Sequence, residues 1–201
     1  MATFDERAKD WDTPERIARA ADAADAIRAN VALAPTDRVV DIGAGTGLLG
    51  LALLDSIGEL VLAEPSDGML AVIAEKLAAA ELPQVTAVKL DLVADPPPGH
   101  SFDLAVSFLV LHHIEDTAAA LAAVRRLLRS GGRIALSDLD TEDGTFHSAE
   151  AEGIYHLGFE RDALADLARR AGFVDVQTRD SIEIEDEGRR FPAFLLLARN
   201  P

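Results

Sequence analysis

The chain has no cysteine. That excludes disulfides, thiolate metal sites and every mechanism built on a thiol nucleophile. Basic residues are few: 19 Lys and Arg stand against 35 Asp and Glu, a formal net charge of −16. Nucleic-acid affinity rests mainly on Lys and Arg neutralising phosphates, so a nucleic-acid partner is not expected. The one dense basic cluster, Arg125, Arg126 and Arg129, reads as the solvated face of a helix. Long apolar runs are missing too, and a bilayer span needs ~20 such residues. The opening MATFDERAKDWD is charged and has no apolar signal core. These absences point to a cytoplasmic protein without a membrane partner. Tryptophan is represented once, by Trp11.

What is present is a chain of 201 residues, 49% hydrophobic, enough for one domain with a full core. No linker or repeat divides it, so residues 1–201 read as a single domain. Asp12-Thr13-Pro14-Glu15 starts a helix with a capping residue, an early proline and an acid at the positive helix end. Ile17, Ala20, Ala24, Ile27 and Val31 then recur at three- and four-residue steps as one apolar stripe. Strands are expected at about Arg38–Ile42, Leu60–Glu64, Val85–Leu90, Phe102–Phe108 and Arg133–Leu139. Helices are expected between them, including Asp116–Arg129, closed by Gly131-Gly132. Pro96-Pro97-Pro98-Gly99 is a loop. Residues 140–158 break this rhythm with a polar, acidic stretch. After one more helix, Phe173–Ile184 and Phe191–Ala198 are joined by a short charged turn and must form an antiparallel hairpin. Alternating strands and helices give an open, doubly wound α/β sheet with helices on both faces. Ligands of such sheets bind at the carboxyl ends of the strands.

The first strand runs into VVDIGAGTGLLGLAL, residues 39–53. Two patterns overlap there. Gly45-Thr-Gly47-Leu-Leu-Gly50 fits the dinucleotide fingerprint G-x-G-x-x-G, and Gly43-Ala-Gly45-Thr-Gly47 fits a G-x-G-x-G turn preceded by Asp41. A carboxylate at the mouth of a glycine turn repels a pyrophosphate, by several kcal/mol in order of magnitude, and attracts a cationic ligand. Glu64, about twenty residues on, suits a pair of ribose hydroxyls. Asp91, ending the third strand, suits an exocyclic amine such as that of adenine. Three acids around a glycine turn describe a site for a cationic nucleoside.

These segments resemble the class I S-adenosylmethionine-dependent methyltransferases, of the small single-domain type acting on small molecules. VVDIGAGTGLLGL is similar to the family's first motif, LAEPSDGML to its second and LDL at 90–92 to its third. FDLAVSFLVLHHIED, LLRSGGRIALSDL, HLGFERDALADLARRAGF and FDERAKDWD resemble, in turn, the fourth-strand and fifth-strand segments, the helix before the last hairpin, and the N-terminal segment that closes over the cofactor. Where the family often has Lys-Pro-Gly-Gly before the fifth strand, this chain reads Arg-Ser-Gly-Gly. The resemblance implies seven strands, the seventh inserted antiparallel between the fifth and sixth. It implies a helical cover over residues 1–34 and a lid over 140–158. The implied cofactor is S-adenosylmethionine, leaving as S-adenosylhomocysteine, and the reaction is in-line transfer of a methyl group to a small acceptor. Two rivals stand beside it. A nicotinamide-dependent oxidoreductase draws on Gly45, Gly47, Gly50 and Glu64 alone; a non-catalytic cofactor-binding relative is excluded by no residue.

The cofactor-contacting residues expected on this basis are Trp11, Asp41, Gly43, Ala44, Gly45, Thr46, Gly47, Glu64, Pro65, Ser66, Met69, Asp91, Leu92, Ser107, Phe108 and Leu109. Ser66 reads equally as a helix cap, Met69 as core and Asp91 as a loop acid. His156, in the roof segment, is the expected proton acceptor at the substrate, with His112 after the fourth strand as the alternative. No metal site is expected. His112, His113, Glu115 and Asp116 cluster in sequence, but neighbouring residues do not easily face one ion, and Asp116 reads as a helix cap. His147, in an acidic loop, reads as a surface residue.

Overall fold

Seven strands share one sheet in the order β3-β2-β1-β4-β5-β7-β6. They run as β1 (Arg38–Ile42), β2 (Glu59–Glu64), β3 (Val85–Lys89), β4 (Phe102–Phe108), β5 (Leu128–Leu139), β6 (Val174–Asp186) and β7 (Arg189–Arg199). This computed structural model describes residues 4–94, 101–147, 153–186 and 188–201. The Pro96–Gly99 loop and part of the 140–158 lid segment lie outside the described residues. β1 to β5 are parallel, while β7 pairs antiparallel with both β5 and β6. The last inversion follows from chain length. Asp186 pairs with Arg189, and so short a turn permits only a hairpin; a parallel return needs a dozen residues or more.

Both faces of the sheet are covered, so successive strand residues feed opposite cores. Val40, Ile42, Ala105 and Leu136 pack with Leu121 and Val124 of α5 (Thr117–Leu127) and Leu164 of α6 (Arg161–Arg170). Val39, Leu62, Leu104 and Val106 pack with Ile27 of α2 (Pro14–Asn30), Leu49 of α3 (Leu48–Ala52) and Ile73 of α4 (Asp67–Ala80). Thr13 caps α2 by accepting from the Arg16 N–H, with Pro14 in the first turn. A short α1 (Phe4–Arg7) precedes it.

Three local expectations are corrected. Ile17 does not join the apolar stripe of α2: it is exposed, and Ala23 takes its place in the core. α5 ends at Leu127, and Leu128 is already in β5, its partner Phe102 on β4. Gly131 and Gly132 therefore lie inside a strand instead of closing a helix. The Cβ of a residue at 132 would come within 3.0 Å of the Phe102 carbonyl oxygen, so this glycine serves close strand approach. Arg129 leaves the predicted helical face and pairs with Asp103 beside it.

Candidate functional site

The register brings the ends of β1, β2 and β4 to one edge of the sheet, with Asp41 beside Leu62 on one side and Val106 on the other. From that edge the glycine loop turns back into α3. Gly43, Gly45 and Gly47 are all left-handed, with φ of +61°, +57° and +86°, which L side chains rarely adopt. At Gly45 the backbone angle demands glycine, because among the described residues a Cβ there would meet only Trp11 Nε1, at 3.6 Å. Gly50 has the other reason. Its Cβ would lie 2.9 Å from Asp41 Oδ2 and from Leu62 Cδ2, so its absence lets α3 approach the sheet.

Asp41 does not face the open side of the loop as the sequence suggested. It is 1% exposed and turns beneath the loop, where Oδ2 accepts the Gly50 N–H at 2.9 Å. The first turn of a helix offers N–H groups with no partner in the helix, and a buried carboxylate fills that role. Burial, opposed by the Gly50 bond and helped by the charge of Glu64, pushes Asp41 up to about 7. Glu64 closes the loop from the neighbouring strand. Its Oε2 accepts the Gly45 N–H at 2.8 Å and its Oε1 the Ser66 N–H at 2.9 Å. Burial raises its pKa, and those two N–H groups oppose the rise. Each carboxylate oxygen keeps a further lone pair.

Around this pair the other expected residues divide. Ala44 donates its N–H to Ala63 at 3.1 Å, tying the loop to β2. Ser66 caps α4, its Oγ accepting the Met69 N–H at 3.1 Å, and Met69 is core. Pro65 stands between Glu64 and that cap. Leu90 donates its N–H to the Glu64 carbonyl at 3.2 Å, which brings the end of β3 alongside. The exposed Asp91 carboxylate, however, accepts from Val93 and Ala94 N–H, both at 3.0 Å, while Leu92 is buried. Ser107 Oγ is buried with no hydrogen-bond partner among the described residues. Leu109 holds a φ of +57° and donates its N–H to Ser137 at 2.9 Å. Non-glycine residues in this conformation cluster at functional sites. Phe108, next to it, is half-buried.

The N-terminal segment lies over the loop. Asp5 Oδ1 accepts from Ser66 Oγ at 2.5 Å and from Gly68 N–H at 2.8 Å. Asp12 accepts from Thr46 Oγ1 and pairs with Lys76 at 2.5 Å, and Lys76 also donates to the Thr46 carbonyl at 2.8 Å. Trp11 is flanked by Arg7 and Arg16 guanidinium groups, and its ring centre lies 5.7 Å from that of Phe4.

Phe4 also reaches His113, centroid to centroid 5.4 Å, and there a second group begins. His112 is fully buried, with Nδ1 2.7 Å from Asp138 Oδ1. Asp138 ends the apolar run of β5 and also accepts the Leu111 and Leu139 N–H groups, each at 2.8 Å. His147 is half-buried, not on the surface, because its Nε2 lies 3.0 Å from His112 Nε2. Burial and the neighbouring imidazoles push His113 and His147 down to about 4. His156 stands apart, its Nε2 3.0 Å from the Ile114 carbonyl and 3.1 Å from Thr117 Oγ1. Asp116 caps α5 as expected. The sequence reading passed over Asp138, whose only signal was an acid inside an apolar strand. It gave no hydrogen-bonding role over the loop to Asp5 or Asp12, reading them only as parts of the N-terminal segment and of the start of the first helix.

A family model described as a methyltransferase domain matches residues 40–134. That span covers the glycine loop, Glu64, the end of β4 and the start of β5. The match supports the resemblance to the class I S-adenosylmethionine-dependent methyltransferases over that part of the chain. A ubiquinone/menaquinone biosynthesis C-methyltransferase of Teredinibacter turnerae is 38% identical over 104 residues, which is 50% of this chain and 42% of that one. The chain spans about half the length of the curated relatives it matches. Among solved structures, the complex of the Haloferax volcanii Trm112 methyltransferase activator with a methyltransferase matches at a TM-score of 0.81 and 20% identity. The match covers all of this chain and 99% of that one. A Haemonchus contortus phosphoethanolamine N-methyltransferase 2, in complex with S-adenosylmethionine, matches at a TM-score of 0.75 and 16% identity. It covers all of this chain and 60% of that one. Such distant likeness shows the methyltransferase fold and no more.

Proposed function

We propose that this methyltransferase-family chain binds S-adenosylmethionine in the loop between β1 and α3 and moves its methyl group to a small acceptor. The observation that carries the reading is Glu64. Its two oxygens are fixed by backbone N–H groups on either side of the crevice, and each retains a lone pair for a ribose hydroxyl. Gly45 leaves the approach open: among the described residues beyond its own chain neighbours, Trp11 Nε1 alone lies within 4 Å of where a Cβ would stand. Ser107 Oγ, unsatisfied by the described residues, fits a polar atom supplied by a ligand. The residues present therefore suit the nucleoside. The bound cofactor supplies an activated sulfonium methyl.

The protein's part is to hold the acceptor in line, and positioning of this kind can be worth ~7–11 kcal/mol. On the acceptor side His112 is a better placed proton acceptor than His156. Asp138 fixes its Nδ1–H and leaves the lone pair on Nε2, where the acceptor's proton would take the place of the His147 Nε2–H 3.0 Å away, whereas His156 spends Nε2 on the Ile114 carbonyl. A small acceptor fits the net charge of −16, and the cover that clamps the loop is short. Among the described residues, a pyrophosphate-bearing nicotinamide cofactor finds Lys76 as the one cation hydrogen-bonded to the loop, and it is already paired with Asp12.

The test is thermal melting with S-adenosylmethionine, S-adenosylhomocysteine and NADH, followed by a metabolite screen with methyl-labelled cofactor. A ligand at a hundred times its dissociation constant stabilises by ~2.7 kcal/mol. Both adenosyl ligands are expected to raise the melting temperature and NADH is not, with a labelled product in the screen. Stabilisation by NADH alone overturns the reading. Binding of the adenosyl ligands with no labelled product across acceptor classes favours the non-catalytic relative.

A further inference from the structure

The turn after β4 and the segment after β5 bring together three imidazoles that the cofactor crevice does not use. One ring nitrogen from each of His112, His113 and His147 lies within 4.8 Å of the other two. Their protonation is largely set by their other partners. Asp138 already accepts backbone N–H groups at both oxygens, so the proton in its 2.7 Å bond to His112 Nδ1 belongs to the histidine. The Gly153 carbonyl can only accept, so His113 Nδ1, 2.8 Å away, carries its proton too. Each of these rings is thereby left with its lone pair on Nε2. Metal-bound histidines typically have this arrangement, one nitrogen donating to a carboxylate or carbonyl and the other facing the ion.

We propose that His112, His113 and His147 bind one divalent ion of the zinc class through their Nε2 atoms. The Nε2 atoms of His112 and His147 are 3.0 Å apart; two ligands on a tetrahedral zinc at ~2.0–2.1 Å sit about 3.3 Å from each other. That pair needs to open by only a few tenths of an ångström, and His113, whose ligand nitrogen lies within 4.8 Å of both, completes the set. Without the ion, His147 donates its Nε2–H to His112. With the ion, His147 carries its proton on Nδ1 instead, and no proton is gained or lost by the three neutral rings. Three imidazoles with no carboxylate select zinc, cobalt, nickel or copper over magnesium and calcium, which take oxygen ligands. Three protein ligands leave a fourth position open, as in catalytic zinc sites.

Phe4 touches both His113 and Trp11, and Trp11 approaches Gly45, so two aromatic rings join the cluster to the cofactor loop. An acceptor oxygen or nitrogen in the open position is polarised there and loses its proton more easily, with the ion in place of His112 as activator. That role rests on the methyl-transfer reading; binding of the ion does not.

The experiment uses untagged, chelator-treated full-length chain titrated with cobalt(II) and zinc(II), followed by calorimetry and by the visible absorption of cobalt. One ion per chain and intense tetrahedral cobalt bands between about 500 and 700 nm are expected, displaced by zinc and not by magnesium. His113→Ala and His147→Ala are each expected to weaken binding at least tenfold, while S-adenosylmethionine still raises their melting temperature. The proposal is overturned if the native chain shows no stoichiometric binding, or if both variants bind cobalt as tightly as the native chain. Cobalt binding without any adenosyl binding overturns the proposed function and leaves the metal site standing.

Discussion

Asp41 is the residue whose chemistry the fold changes most. Its carboxyl is displaced from 3.8 to about 7 by burial, equivalent to roughly 4 kcal/mol. Because the folded-state pKa is the higher one, the favourable contribution is fully present below about pH 4 and is lost as pH rises through 7. Asp41→Asn keeps an acceptor for the Gly50 N–H and removes the titration. The unliganded variant is expected to gain on the native chain as pH rises from about 4 to about 7 in denaturant melts; parallel pH profiles for the two show that Asp41 is not the group responsible. His112 is the second decisive residue. His112→Asn retains a donor near Asp138 and removes Nε2. Once an acceptor is known, it should lower turnover at least tenfold with adenosyl affinity kept, in the range of a lost proton acceptor or metal ligand. His156→Gln should stay within about threefold, since His156 binds backbone and Thr117. The opposite ranking restores His156 as the group at the substrate.

At the scale of elements, the N-terminal segment is the cover and its seat is the start of α4. A Cβ at Gly68 would lie 2.6 Å from both Asp5 Cα and the Asp5 carbonyl oxygen, so only glycine lets α1 sit there. Alanine is the better helix former by ~0.8–1.0 kcal/mol. Gly68→Ala is therefore expected to hold or raise the stability of α4 while displacing the cover. The readouts are faster trypsin cleavage after Arg7 and Lys9 and faster S-adenosylhomocysteine release in stopped flow. Unchanged cleavage and release show that the cover is not seated through Gly68. Strand and helix positions were legible because apolar spacing and turn residues are local signals. The end of α5 was not: Leu128 continues the helical spacing, yet pairing with Phe102 on β4 draws it into the sheet.

For the whole molecule, the parallel strands place the polar carboxyl ends of β1, β2, β4 and β5 at one edge, and that edge collects both the loop and the histidine cluster. Acids at the ends of β1 and β2 become buried neighbours, the charge of Glu64 helping to raise Asp41, only because the parallel register sets Asp41 beside Leu62 and Ile42 beside Ala63. Asp138 reaches His112 because β5 pairs with β4, Ser137 beside Phe108. No helix among the described residues is long and apolar enough to cross a membrane.

The sequence by itself determined the alternation of strands and helices, the hairpin that reverses β7, the glycine loop and Glu64, since each is written in neighbouring residues. Only the tertiary structure decided what these groups do to one another. It turned Asp41 beneath the loop, capped the turn after β3 with Asp91, seated Asp5 on Gly68, and drew His147 from an acidic stretch onto His112 and Asp138. These pairings join residues distant along the chain or depend on burial, and a one-dimensional pattern carries neither the separation in space nor the loss of solvent that sets their chemistry.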